Sequence, residues 1–296
     1  NIKQFFEETN EFISTCPKPL LIHCEMGQSR SVTITMVYLM SQGMKLHEAY
    51  QHIKNFSSAT VFARRLPKTD YSTNDIVNAI GLGVDLASYS FDKYFTTKKA
   101  KDFPKLEYVN FTAKEKLDKK VYEQTKALTN AVRYARDLTN EPSNNLTPEI
   151  YASDIKRLET LGLKITVMNK ETLKKKGFNM LLSVSQGSAN DPYVCILEYN
   201  GNKKKKSYDV ALVGKGVTFD SGGISIKPSQ GMGDMKQDMA GSAVVVASLK
   251  ALAQQKLHLN VIGIVGLVEN MPSGTATRPG DIVTSLSGKT VETLFY

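Results

Sequence analysis

The sequence predicts an α/β protein built on a doubly wound, mostly parallel sheet. Three observations carry that expectation. Short, nearly continuous apolar runs recur at 164–168, 193–199, 210–213 and 260–267, the pattern of strands buried on both faces. Segments of helical period separate them, so that 210–213, 241–254 and 260–267 read as one βαβ unit. Finally, 41% of the 296 residues are apolar, enough to fill such a core.

Taken in order, the elements form two unlike parts. Phe5, Phe6, Thr9, Phe12 and Ile13 follow helical spacing. Leu20, Leu21 and Ile22, after Pro17 and Pro19, suit a short buried strand. A turn at 27–31 leads into a helix over 32–40 that Gly43 ends, and 46–53 is again amphipathic. Between 57 and 73 the period is lost, and the seam between the parts is placed there. Beyond it, 75–94 reads as helical, a Lys-rich connector follows, and 117–137 is a long amphipathic helix. Thr147-Pro148 is a cap and first turn for the next helix. The expected organisation is a segment over 1–60, a connector and linking helix over 61–140, and an α/β domain over 141–296.

Charge and composition exclude several classes. Lys and Arg number 38 against 29 Asp and Glu, a net charge of +9 that falls entirely after the first sixty residues. Nucleic acid is nevertheless an unlikely partner, because the excess sits in short lysine runs at 98–101, 174–176 and 203–206 with no aromatic or Arg pattern beside them. Those runs read as solvated loops and helix ends. The longest apolar stretch, 261–268, is far below the ~20 residues of a membrane helix. No apolar leader opens the chain, and three cysteines (Cys16, Cys24, Cys195) make no disulfide framework, so a reducing cytoplasmic setting is expected. Only His258 lies outside the first part, so a metal site in the larger part must use carboxylates and unusual ligands.

The first chemical motif is His23-Cys24-Glu25-Met26-Gly27-Gln28-Ser29-Arg30-Ser31, between an expected strand and a helix start. Backbone N–H groups and the helix dipole there would cradle a phosphate and lower the thiol pKa. Arg30 can fork two hydrogen bonds to phosphate oxygens, and Ser31 can donate to the thiolate as it leaves. Residues 1–56 resemble the dual-specificity protein phosphatases, with Cys24 on the nucleophile and Arg30 on the phosphate-binding arginine. The resemblance implies a phosphoprotein partner. It also implies a general-acid Asp upstream, whereas Glu7, Glu8 and Glu11 read as solvated helix positions, so ~10²–10⁴ in rate would be forfeited.

The second is Val213-Gly214-Lys215-Gly216-Val217-Thr218-Phe219-Asp220-Ser221-Gly222-Gly223, read as a loop at the carboxyl end of a strand, where open α/β sheets bind ligands. Lys227 follows, then Asp234, Met235, Lys236 and Asp238. Spacing alone leaves three readings open: a metal site with lysines buried beside aspartates, a phosphate loop with Lys215 as counter-charge, or a structural turn.

The wording of three stretches adds to this. Asn140 to Glu149, 213–228 and Glu269-Asn270-Met271-Pro272-Ser273-Gly274 resemble the leucyl aminopeptidase (cytosol aminopeptidase) family, as does Arg278-Pro279-Gly280-Asp281 running on to Glu292. The resemblance covers about 75–292 and implies an exopeptidase with two divalent metal ions, Mn²⁺ or Zn²⁺, acting on peptides as a homo-hexamer. Lys215, Asp220 and Asp238 fall on its metal ligands, Lys227 on its catalytic lysine and Met235 on the wall of the pocket for the first side chain. Glu269, Asn270 and Asp281 are expected to be structural. The family's following segment, which supplies an Asp, a Glu and an Arg, is not in the sequence, so at most one well-held metal and an impaired or absent activity are expected. Missing core is also expected to expose apolar sheet faces such as 261–267. A composite gene product with neither activity is the remaining reading.

Overall fold

The computed structural model describes residues 58–62, 71–99, 108–113 and 115–293. The elements expected within 1–57, and with them Cys24, Arg30 and Ser31, lie outside the described residues. The chain divides into two compact units after Thr129.

In the first unit, strand β1 (Ser58–Phe62) runs parallel to β2 (Tyr108–Thr112), in register from Ser58 with Tyr108 to Phe62 with Thr112. Part of the aperiodic stretch 57–73 is therefore strand. Helix α1 (Thr73–Ala87) starts at a capping box: the Ser72 hydroxyl accepts from the Asp75 N–H, and the Asp75 carboxylate accepts from the Ser72 N–H. Helix α2 (Lys119–Asn140) begins in this unit and ends in the second.

The second unit holds the sheet. Helix α3 (Pro148–Arg157) has Thr147 as its cap and Pro148 in its first turn, as the sequence predicts. Acidic Glu149 at its start and Lys156 and Arg157 at its end complement the helix dipole. Strand β3 (Lys164–Met168), helices α4 (Lys170–Lys176) and α5 (Asn179–Ser185), and strand β4 (Tyr193–Asn200) follow. The lysine run 174–176 forms the last turn of α4, before left-handed Gly177, where the dipole favours cations. Strand β5 (Val210–Asp220), helix α6 (Ala240–Gln255) and strand β6 (Asn260–Asn270) make the expected βαβ unit. A hairpin of β7 (Ile282–Thr284) and β8 (Thr290–Glu292) comes last.

The strand order is β3-β4-β6-β5. Three of the four strands point one way, with β5 and β6 directly paired in parallel. Strand β4 runs against them and pairs antiparallel on both sides. Its direction is illegible in sequence, because any strand covered on both faces shows the same continuous apolar run.

The two faces are filled separately. On one, Tyr151, Ile155, Val246 and Leu249 from α3 and α6 close over Ile165, Cys195, Leu197, Val265 and Leu267. On the other, Leu173 and Leu181 of α4 and α5 close over Met168, Val194 and Ile264. Each large aliphatic side chain so buried stabilises the fold by about 1.5–3 kcal/mol. This corrects the expectation that 261–267 would be exposed: Val261, Val265 and Leu267 are buried. The exposed apolar surface lies on β5 instead, where Val213 is 78% accessible.

Candidate metal centre

Strand β5 carries two of the expected ligands, and a bulge puts them on one face. Lys215 and Asp220 are five residues apart, which in an unbroken strand would point them to opposite sides. The pairing with β6 slips between Val217 and Phe219, leaving Thr218 as an extra residue. Lys215 then pairs with Gly266 and Asp220 with Asn270, two positions on the same face of β6. The bulge is fully satisfied: Thr218 Oγ1 donates to the Val268 carbonyl at 3.2 Å, and the Thr218 carbonyl accepts from Ser143 Oγ at 2.8 Å. The segment read from sequence as a loop is thus mostly strand, and the turn begins only at Ser221.

That turn brings Lys227 back to Asp220. Ser221 N–H donates to the Asn270 carbonyl at 3.0 Å, and Lys227 N–H donates to the Ser221 carbonyl at 2.9 Å. Gly222 (φ +89°) and Gly223 (φ +70°) make the reversal possible, since a Cβ on Gly222 would lie 2.3 Å from the Ser225 carbonyl oxygen. Lys227 Nζ then donates to Asp220 Oδ2 at 2.6 Å and to the Met235 sulfur at 3.1 Å.

Met235 belongs to a short 3₁₀ helix (Met232–Gln237) whose end is capped by Asp238. Two anchors hold this piece: Lys236 Nζ donates to the Asn140 carbonyl at 3.2 Å, and the next side chain, Met239, is fully buried. Asp238 Oδ1 accepts from Lys215 Nζ at 2.7 Å. The structure therefore brings Lys215 to Asp238, and Lys227 to both Asp220 and Met235, as two lysine–aspartate pairs.

The electrostatics keep Asp220 ionised. Burial pushes the Asp220 carboxyl up, but hydrogen bonds from Lys227, the Gly222 N–H and Asn270, with the Lys227 charge, outweigh it and hold the group below its ordinary range. Asp238 Oδ2 is buried without a hydrogen-bond partner among the described residues, an arrangement that costs free energy unless something positive meets that oxygen. Two carboxylates and an amine are hard-to-borderline donors suited to Mn²⁺ or Zn²⁺, provided the amine is unprotonated when it ligates. These residues fit such an ion. No cluster of three His, Cys, Asp or Glu occurs among the described residues, because this donor set uses lysine in place of a third acid. One expectation needs correction: the Lys215 side chain is 60% exposed rather than buried.

The residues expected to be structural divide. Glu269 accepts from Ser188 and Asn190, and Asp281 from the Arg278 backbone and guanidinium. Asn270, by contrast, donates from Nδ2 to Asp220 Oδ1 at 2.8 Å.

Residues 133–294 match the cytosol aminopeptidase family catalytic domain, more than half of the sequence. The chain belongs to the cytosol aminopeptidase family. Residues 1–65 match a second model, the dual specificity phosphatase catalytic domain. A probable cytosol aminopeptidase of Phytoplasma mali is 44% identical over 272 residues, which cover 91% of this chain and 53% of the relative. Among solved structures, the bottromycin maturation enzyme BotP in complex with Mn superposes with a TM-score of 0.73 at 32% identity, covering 89% of this chain and 53% of BotP. The cytosol aminopeptidase of Coxiella burnetii gives 0.67 at 27% identity, over 79% of this chain and 47% of that one. This cytosol aminopeptidase family member spans about half the length of the curated relatives it matches.

Proposed function

We propose that the chain carries the cation-holding and carbonyl-polarising part of a metal-dependent aminopeptidase site. The observation that supports this best is the pair of lysine–aspartate contacts at the end of β5, with Asp238 Oδ2 left unpartnered among the described residues. A carboxylate faces each lysine, which argues against the phosphate-loop reading of Lys215, since an anion there would be repelled.

In this reading Lys215, Asp220 and Asp238 hold a divalent ion, Mn²⁺ or Zn²⁺, and a second ion has Asp220 alone among the described residues. Such ions activate water and stabilise negative charge developing on a peptide carbonyl. Lys227 donates a hydrogen bond to that carbonyl oxygen once Asp220 is engaged by the ion. Met235 bounds the space for the first side chain of the substrate. The substrate class is peptides with a free amino terminus, and a homo-hexamer in the cytoplasm belongs to the same family-based reading.

The test is release of leucine from a chromogenic amide. Mn²⁺-stimulated release that falls by ~10²–10³ in Asp220→Ala and Lys227→Ala supports the reading. Release that ignores both Mn²⁺ and Asp220→Ala would overturn it.

A second reading rests on the phosphatase match over 1–65. There the Cys24 thiolate attacks a phosphoprotein phosphate gripped by Arg30 and breaks the P–O bond, so that the substrate's oxygen leaves and takes a proton from solvent. Water then hydrolyses the phosphocysteine to phosphate, with Ser31 assisting departure of the thiolate. Vanadate-sensitive phosphate release lost in Cys24→Ser would support it; equal release from Cys24→Ser would exclude it.

A further inference from the structure

Asp220 is held from one side by a residue that the sequence presents as ordinary strand-end polarity. Asn270 closes β6 in register with Asp220, the last residue of β5. Its Nδ2 donates to Asp220 Oδ1 at 2.8 Å, and the Gly222 N–H donates to the same oxygen at 3.0 Å. Two donors on Oδ1 fix the plane of the carboxylate and leave Oδ2 directed at Lys227 Nζ, 2.6 Å away. The Asn270 Oδ1 lies on the Gly223 side, where a Cβ at 223 would approach it within 2.9 Å. The Asn270 main chain adds to the clamp, its carbonyl accepting from the Ser221 N–H at 3.0 Å and from Ser221 Oγ at 2.8 Å.

We propose that Asn270 is a positioning residue for cation binding: its side-chain amide orients the Asp220 carboxylate without neutralising it. The inference rests on the metal-site reading above. An amide suits the task where Arg or Lys would not. It restrains the carboxylate through a neutral hydrogen bond and adds no charge to that of Lys227, so the carboxylate stays able to meet a divalent ion. The backbone part of the clamp survives any substitution at 270, so the amide can be removed while the Ser221 contacts stay.

The experiment is titration of Mn²⁺ into the full chain by calorimetry, alongside thermal melts. Asn270→Ala and the similarly shaped Asn270→Leu are compared with the wild type, with Asp220→Ala and with Ser188→Ala, which removes the structural bond to Glu269, the neighbour of Asn270. The expected result is a loss of about tenfold to a hundredfold in Mn²⁺ affinity for both Asn270 variants. Ser188→Ala is expected to bind as the wild type does, whatever its melting temperature. Wild-type affinity in either Asn270 variant that melts as a folded protein overturns the positioning role alone. No Mn²⁺ binding by the wild type overturns the metal-site reading and this inference with it. An equal loss in Ser188→Ala would mean that local folding, not the amide, sets the affinity.

Discussion

Cys195 lies in β4 opposite Val167 and Val265, fully buried, and burial pushes its thiol up to about 12. The neutral thiol is therefore the species present at pH 8, and the thiolate that reacts with alkylating agents is suppressed. Iodoacetamide at pH 8, followed by peptide mass mapping, is expected to leave Cys195 unmodified in the native protein and to label it in denaturant. Labelling at equal rates in both would refute the burial. The sign of the linkage follows: with a raised folded value, this thiol's contribution to stability is complete below its ordinary 9.0 and is lost as pH climbs toward about 12. Asp220 shows the opposite balance, since three donors overcome its burial and hold it low. The residue scale is also where sequence was most informative about the site. Lys215, Asp220, Lys227, Met235 and Asp238 are named by motif wording, and the structure pairs Lys215 with Asp238 and sets Lys227 against Asp220 and Met235. Asn270 reads from the sequence as structural, because it belongs to the family's wording and not to its metal shell. Only the register of β6 against β5 reveals what it touches.

Strand β5 and helix α6 decide whether those side chains meet. Gly214 is backed by the start of α6, and a Cβ there would lie 2.6 Å from Ser242 Cα and 2.7 Å from the Gly241 carbonyl oxygen. Backbone, not a flexible side chain, blocks the space, so a larger residue must push the helix away. That helix start directly follows Asp238, the partner of Lys215. Gly214→Val is therefore expected to destabilise the protein by about 1–3 kcal/mol, read as a lower urea midpoint. It should also weaken Mn²⁺ binding although no ligand is changed. An unchanged midpoint would show that α6 does not press on β5 as described. The βαβ unit itself was legible, because apolar runs of strand length flank a helical period. The Thr218 bulge was not: threonine is an ordinary strand residue, and the one-residue slip is fixed by Ser143, 75 positions away in sequence. The reversed direction of β4 was hidden for the related reason that burial on both faces erases alternation.

At the scale of the molecule, the sheet is well covered on both faces but not at its β5 edge. Among the described residues β5 pairs only with β6, so one row of backbone N–H and C=O groups along eleven residues meets no strand. Val210 and Val213 are exposed on that strand, and Val244 on the neighbouring α6. An edge of this length with apolar side chains is a template for pairing with another chain. Opposing it is the net charge of +9, which keeps copies apart while the repulsion is felt across solution. Salt separates the two effects. The Debye length shrinks from ~30 Å at 0.01 M to ~8 Å at physiological ionic strength, so screening removes the repulsion and leaves the edge untouched. Light scattering across a salt series is therefore expected to show association that grows with salt in the wild type. Val213→Lys should blunt that growth, because a strand-edge lysine must be desolvated for a second strand to dock. If the two proteins associate alike at every salt concentration, β5 is not the contact, and the exposed valines have no part in holding copies together.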